Sequence, residues 1–272
     1  MRTWSMAALS AAALLGVLPP ARAEEARTRE AARAALARYG PALVTVRLTV
    51  KMRMVHEGRQ QDGPESTLEV AGTLVSPDGL TVVSDFSTNP AALFEEERGP
   101  RFETETSEVR LLLQDGRELP ARFVLRDSDL DLAFLAPVEP AAALPFVRFE
   151  KGTAAPAPLD DLVLLGQLGK SLNRAVAVSI GRVRAVIRRP RTFLVPPSVD
   201  GLSGLGSPAF DDHARPVGLV VLRRSPGTAP ELHGLRDVLD ALAPVVVTAG
   251  DLQDEIGQAA AARSAAPAEA GP

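Results

Sequence analysis

The chain of 272 residues contains no cysteine. That excludes disulfides, thiol nucleophiles, cysteine zinc sites and iron–sulfur clusters together. Histidine occurs three times, as the scattered His56, His213 and His233, too few and too far apart for a histidine-rich metal site. Aromatic residues make up 4%, with one tryptophan and one tyrosine, so the core must be aliphatic. Lysine appears only as Lys51, Lys151 and Lys170, and arginine supplies the rest of 30 basic residues. These are outweighed by 34 acids, and a net charge of −4 argues against general nucleic-acid binding. What is abundant is apolar: 46% of residues, enough for a packed core and against wholesale disorder.

The longest apolar stretch sits at the start. Arg2 is followed by Met6 to Leu18, then Pro19-Pro20 and the small-residue sequence Ala21-Arg22-Ala23. This is the charged end, apolar run and cleavage site of a secretory signal peptide, and the run is too short to cross a bilayer as a helix. Residues 1–23 are therefore read as a signal peptide, with a mature chain starting at Glu24 and a periplasmic or secreted destination. No later segment reads as a membrane span.

Residues 24–41 read as a helix ended by Gly40-Pro41. From Ala42 onward the pattern is β, with many short β-branched runs separated by turn residues. Leu43 to Val50, Leu68 to Val75 and Leu80 to Val83 come first, the last two joined by Ser76-Pro77-Asp78-Gly79. Asn89-Pro90 opens a helical stretch to about Glu97, and the polar Gly99 to Ser107 reads as a loop. Val109 to Leu113 and Leu119 to Leu125 flank the hairpin signal Asp115-Gly116. Pro137 to Pro158, with five prolines, reads as a linker between halves 42–137 and 159–250. The second half holds Leu162 to Leu165, the long run Val176 to Ile187, Phe193 to Val195, the fully apolar Val217 to Leu222 and Val245 to Val247. Ser225 to Pro230 reads as a loop and Leu232 to Leu242 as helical. Residues 251–272 read as a C-terminal helix and disordered tail. The sum is an all-β chain with short helices.

Four segments line up in order with one family. They are Gly72 to Phe86, around the Ser76 turn; Leu113 to Arg117 with Asp129 to Leu135; Val163 to Gly166 with Ser179 to Val183; and Gly204-Leu205-Gly206-Ser207-Pro208 followed by Pro216 to Leu219. In these the chain resembles the chymotrypsin-like serine proteases, and more closely their bacterial HtrA/Deg branch. The resemblance implies two six-stranded β-barrels with any active site in the cleft between them; too few residues follow for a PDZ domain.

The family's chemistry needs a nucleophile, a base and an orienting acid. By this resemblance the acid position falls on Asp131, the base position on Phe86 and the nucleophile position on Leu205. Phenylalanine cannot accept a proton and leucine cannot attack a carbonyl. No catalytic residue is therefore expected. Asp131 then reads as a turn aspartate kept for its backbone hydrogen bonds. A slipped alignment would make Ser207 or Ser203 the nucleophile, still without a base, because all three histidines lie elsewhere. The backbone of Ser203, Gly204 and Leu205 is the candidate oxyanion hole, and Val217, Gly218 and Leu219 are candidate cleft lining, equally explained as core.

The functional expectation is an inactive serine protease homologue serving as a binding or scaffold module in the cell envelope. Its expected partner is an extended peptide or an envelope protein, with no cofactor, metal or nucleic acid. The alternative is a diverged, active HtrA-like endopeptidase. Gly166 to Ser171 ends like a phosphate-binding loop but has Leu164 where the first glycine is needed. Arg182, Arg184, Arg188, Arg189 and Arg191 form a basic cluster, readable as a site for an anionic polymer or lipid headgroup, or as a solvated strand face.

Overall fold

The computed structural model describes residues 20–56, 59–89, 101–139, 141, 143–197, 204–224 and 242–265. Residues 1–19 of the expected signal peptide, the expected helical stretch from Pro90 to Glu97, the loop expected from Ser225, the expected helical spacing up to Ala241 and the tail beyond Ala265 lie outside these residues.

Helix α1 (Pro20–Tyr39) comes first. Its buried residues Thr28, Ala31, Ala32, Ala35 and Tyr39 recur at helical spacing and form one face. That face lies on the second half of the molecule. Thr28 Oγ1 donates to the Asp161 carboxylate, and the Tyr39 ring stacks on Phe210 with centroids 5.1 Å apart. Gly40-Pro41 then turns the chain into the first barrel.

That barrel is closed and six-stranded. Its strands are β1 (Leu43–His56), β2 (Arg59–Leu74), β3 (Thr81–Ser84), β4 (Arg101–Leu112), β5 (Glu118–Asp127) and β6 (Leu132–Pro137), ordered β1-β2-β3-β6-β5-β4. The four-residue helix α2 (Asp85–Thr88) follows β3. β1 and β2 run well past the apolar segments that announce them, and Gly99 to Ser107 is not a loop, because β4 begins at Arg101. The extra length forms a three-stranded arm in which Met54 pairs with both Gln61 and Phe102. The arm is polar on its outer face, which hides its period. Glu103 and Glu105 are exposed while Thr104 and Thr106, alternating with them, are half-buried. Cross-strand charges hold it: Asp62 bonds Lys51 at 2.6 Å and Arg53 at 2.8 Å, and Arg53 also reaches Glu105 at 3.1 Å.

Pro137 to Pro158 is irregular but tightly bound. Leu144 N donates to Pro77 O and Val147 N to Leu74 O, and Leu144, Val147 and Phe149 are buried.

The second half contains β7 (Asp161–Gln167), β8 (Val176–Arg182), β9 (Ala185–Ile187), β10 (Phe193–Val195), β11 (Pro208–Phe210), β12 (Pro216–Arg224) and β13 (Leu242–Thr248). They make a seven-stranded sheet ordered β8-β7-β11-β12-β13-β10-β9, where six strands were expected. The difference lies in one run. β8 and β9, the two edges of the sheet, are consecutive halves of Val176 to Ile187. Val183 N still donates to Asp160 O, beside β7, whereas Arg184 N donates to Val195 O on β10. The chain changes partners between adjacent residues, so the sheet curls into a half-barrel whose two edge strands are joined by the backbone.

Two-sided burial explains the fully apolar strands. Leu219, Val221, Val245 and Val247 join the large core shared with the first barrel, α1 and the last helix, α3 (Ala249–Ala265). Val217, Val220, Leu222 and Val246 point into a separate cluster inside the second barrel. No helix among the described residues is long and apolar enough to cross a membrane.

Candidate functional site

The site is built where α2, the turn before β6, the loop before β11 and strand β12 meet. Asp131 ends the turn that leads into β6. Its backbone is left-handed, with φ of 56°, a conformation aspartate tolerates better than most side chains. Asp131 O accepts from Asp85 N at 3.1 Å, which ties the turn to the start of α2.

The Asp131 carboxylate is buried, with 7% exposure, and three donors surround it. Oδ1 accepts from Phe86 N at 2.7 Å; Oδ2 accepts from Ser84 Oγ at 2.6 Å and from Leu222 N at 2.7 Å. Two of these donors belong to the first barrel and its helix, the third to β12 of the second. The carboxylate is thus a joint between the barrels. Burial pushes its pKa up to about 6, against the hydrogen bonds from Ser84, Leu222 and Phe86, which favour the ionised form.

Phe86 presents its backbone to Asp131 and sends its ring elsewhere. The ring is buried, in the cluster inside the second barrel, although α2 belongs to the first. Leu205 enters the same cluster from the loop before β11 and is 1% exposed. The structure therefore brings Phe86, Asp131 and Leu205 to one junction, and fills it with two apolar side chains and one satisfied carboxylate. Helix α2 consists of Asp85, Phe86, Ser87 and Thr88, none of which carries an imidazole. His213 sits in the turn from Asp211 to Arg215 and His56 ends β1; His233 lies outside the described residues.

The loop before β11 is held from both sides. Thr73 Oγ1 on β2 donates to Gly206 O at 2.8 Å, Gly206 N donates to Val220 O and Val220 N to Ser207 O, each at 2.8 Å. Gly206 has φ of 80°, and a Cβ there would stand 2.5 Å from Ala71 O, so only glycine lets the loop come this close to the first barrel. Ser203 lies outside the described residues. Gly204 is half-buried, and its carbonyl accepts from Ser207 N at 3.3 Å. Ser207 is 3% exposed and its hydroxyl has no partner among the described residues.

Val217, Gly218 and Leu219 lie near the start of β12, where it runs between β11 and β13. Val217 and Leu219 are buried, and a Cβ at Gly218 would fall 2.0 Å from Val247 O. They are part of the barrel wall and its core. Among the described residues no group of three or more His, Asp or Glu side chains is placed to hold a metal ion.

Sequence reasoning alone did not find Ser84, Leu222, Thr73 or Arg174. Arg174 makes a two-pronged ion pair with Glu69 across the barrels, at 2.6 and 3.0 Å. Leu222, Thr73 and Arg174 act by pairing across the two halves, and Ser84 bonds a residue 47 positions away, so no local signal marks any of them.

No curated protein matches the chain in sequence. Solved structures do. A variant of the HtrA-type protease AlgW with a decapeptide superimposes with a TM-score of 0.57 at 16% identity, over 86% of this chain and 67% of that one. The serine endoprotease from Yersinia pestis gives 0.55 at 17% identity, over 84% of this chain and 66% of that one. AlgW with a tripeptide gives 0.54 at 15% identity, over 84% and 62%. The chain thus spans about two thirds of the length of these structures, and at such identities the likeness is one of fold. The sequence family described as trypsin-like peptidase domain matches residues 70–219, more than half of the chain. That match runs from β2 through Asp131 and the Gly204–Ser207 loop into β12, the elements that meet at the junction, and with the paired barrels it establishes that the chain belongs to the trypsin-like peptidase domain family.

Proposed function

We propose that this member of the family is catalytically silent and serves as a binding or scaffold module in the cell envelope, exported by the signal peptide at residues 1–23. One observation carries the reading. At the position expected for a proton-accepting base there is a phenylalanine whose ring is buried in the second barrel, and the acid beneath it already accepts hydrogen bonds from Phe86 N, Ser84 Oγ and Leu222 N. A Ser–His–Asp mechanism needs the acid to hold an imidazole and the imidazole to take a hydroxyl proton. Leu205, buried at the expected nucleophile position, offers no hydroxyl. What persists is the scaffold: two barrels joined at a junction. The cleft between them is the proposed contact surface, for an extended peptide or an envelope protein. The peptide-bound state of AlgW, similar in fold, supports that choice.

The alternative, a diverged active serine endopeptidase, is favoured by the family itself and by Ser207, whose buried hydroxyl lacks a partner among the described residues. A fluorophosphonate probe separates the two. The expected result is no labelled serine and no hydrolysis of a casein substrate. Labelling that disappears on Ser207→Ala would establish the alternative. Sequencing the N-terminus of protein recovered from the envelope tests the export reading, for which the expected first residue is Glu24.

A further inference from the structure

The basic run of the second barrel is not absorbed by the junction, and the structure divides it. Arg182 is neutralised: it lies 3.3 Å from Asp161 and 3.4 Å from Glu24. The other four are not. Arg184 precedes β9, and Arg188, Arg189 and Arg191 form the turn from β9 to β10; all are exposed, and none takes part in an ion pair among the described residues. A fifth joins them from a distant part of the chain. Arg223 on β12 lays its guanidinium over the Phe193 ring, 5.3 Å from its centroid, and Phe193 pairs with Ile187 at the end of β9 next to the turn. Elsewhere on the described surface most cations are matched. Arg27, Arg47, Lys51, Arg53, Arg110 and Arg126 each have a carboxylate partner. Glu255 on α3 is a buried carboxyl whose pKa is raised by burial, against the charge of Arg191, which lowers it. A protein of net charge −4 therefore keeps a group of arginines in its second half that no acid matches among the described residues.

The form of the patch selects the ligand. Four exposed arginines are strung along the two ends of the edge strand β9, and Arg223 stands apart on β12, so a single anion would meet one or two of them at a time. A surface carrying many phosphates would meet them all, each by paired N–H donors. We propose that the β9–β10 turn, with Arg223, docks the protein on a membrane surface rich in anionic phospholipid headgroups. This assignment is independent of whether the barrel junction is silent. Such attraction falls off within a Debye length, so it must weaken sharply with salt.

The test is sedimentation of the purified full chain with vesicles of phosphatidylglycerol and phosphatidylcholine, against phosphatidylcholine alone. Binding is expected only to the anionic vesicles, with release at high salt. The variant Arg188→Glu, Arg189→Glu, Arg191→Glu should lose affinity by about a hundredfold, at roughly fivefold for each arginine near the surface. A control carrying Arg33→Glu, Arg148→Glu and Lys170→Glu has the same net charge, with its changes at exposed sites elsewhere, and should bind within about threefold of the parent if roughly a Debye length separates those sites from the lipid. Circular dichroism checks that both variants are folded. Equal loss in both variants would reduce the effect to overall charge and overturn the assignment, as would failure to bind anionic vesicles. Displacement by millimolar glycerol phosphate would point instead to a single-phosphate site, and displacement by soluble polyglutamate at equal charge to an acidic polymer; either result overturns the lipid surface.

Discussion

A buried carboxylate with no cation beside it is an uncommon residue to retain in a core, and Asp131 shows what keeps it. Two backbone N–H groups and one hydroxyl, drawn from both barrels, would be unsatisfied without it. Its titration gives a signed prediction. The unfolded carboxyl ionises near 4, the folded one at about 6. Between those values the folded protein holds a proton that the unfolded chain has lost. The contribution is therefore fully present below about pH 4 and is lost as pH rises through 6, a change of about 3 kcal/mol. Glu255, whose carboxyl is also raised by burial, adds the same sign. Urea unfolding at a series of pH values should show stability falling across this window. Asp131→Asn should flatten the slope without abolishing it, and an unchanged slope would place the titration elsewhere. Asp131 was legible in the sequence because its neighbours, Asp129 to Leu135, form a recognisable run. Its partner Leu222 was not, since the contact joins residues 91 apart.

Among the elements, those built on apolar alternation or turn residues were the legible ones. The hairpin at Asp115-Gly116, the helix α1 and the strands β7, β10 and β12 fall where periodicity puts them. The arm of β1, β2 and β4 shows why others were missed. Its strands satisfy their hydrogen bonds with one another; β1 keeps a short alternation at Met52 and Met54, but β2 and β4 carry threonine, glutamine, aspartate and glutamate there, so no hydrophobic period marks those two. Lys51 and Arg53 hold the Asp62 carboxyl there at about 2. Helix α3 is the opposite case, with buried Ala249, Leu252, Ile256 and Ala259 at helical spacing. It packs across β5, β12 and β13, and Arg263 bonds Asp78 in the Ser76 turn at 2.6 Å, so the helix straps both barrels. Leu252, fully buried, is its centre. Leu252→Ala should cost about 2–5 kcal/mol in chemical denaturation, as truncation of a core leucine does. A loss below about 0.5 kcal/mol, the scale of a surface change, would show that the helix is not part of the fold's core.

At the scale of the molecule, the barrels are coupled by Asp131, by Thr73 to Gly206, by Glu69 to Arg174, and by the Phe86 ring sunk in its neighbour's interior. The chain should therefore unfold in one calorimetric transition. Phe86→Ala empties a plug that one barrel inserts in the other and should cost about 3–5 kcal/mol. It should also drop the ratio of van't Hoff to calorimetric enthalpy below one, as the halves begin to melt apart. An unchanged ratio would mean that the ring contributes volume only. Local chemistry is what the sequence by itself determined. The absence of cysteine and the scarcity of histidine, the turn residues, the alternation of apolar positions and the order of the family's segments are properties of neighbours along the chain. They sufficed for two β halves and for the residues that stand at the junction. The tertiary structure decided what those residues meet. It determined that one strand run serves both edges of the second sheet by changing partners at Arg184, that the Phe86 ring is buried in the second half, and that Arg223 comes to the Phe193 ring from about thirty residues further along the chain. Each depends on contacts between segments far apart in the chain, and burial, which sets the cost of every polar group and the reward of every apolar one, is defined only once those segments have come together.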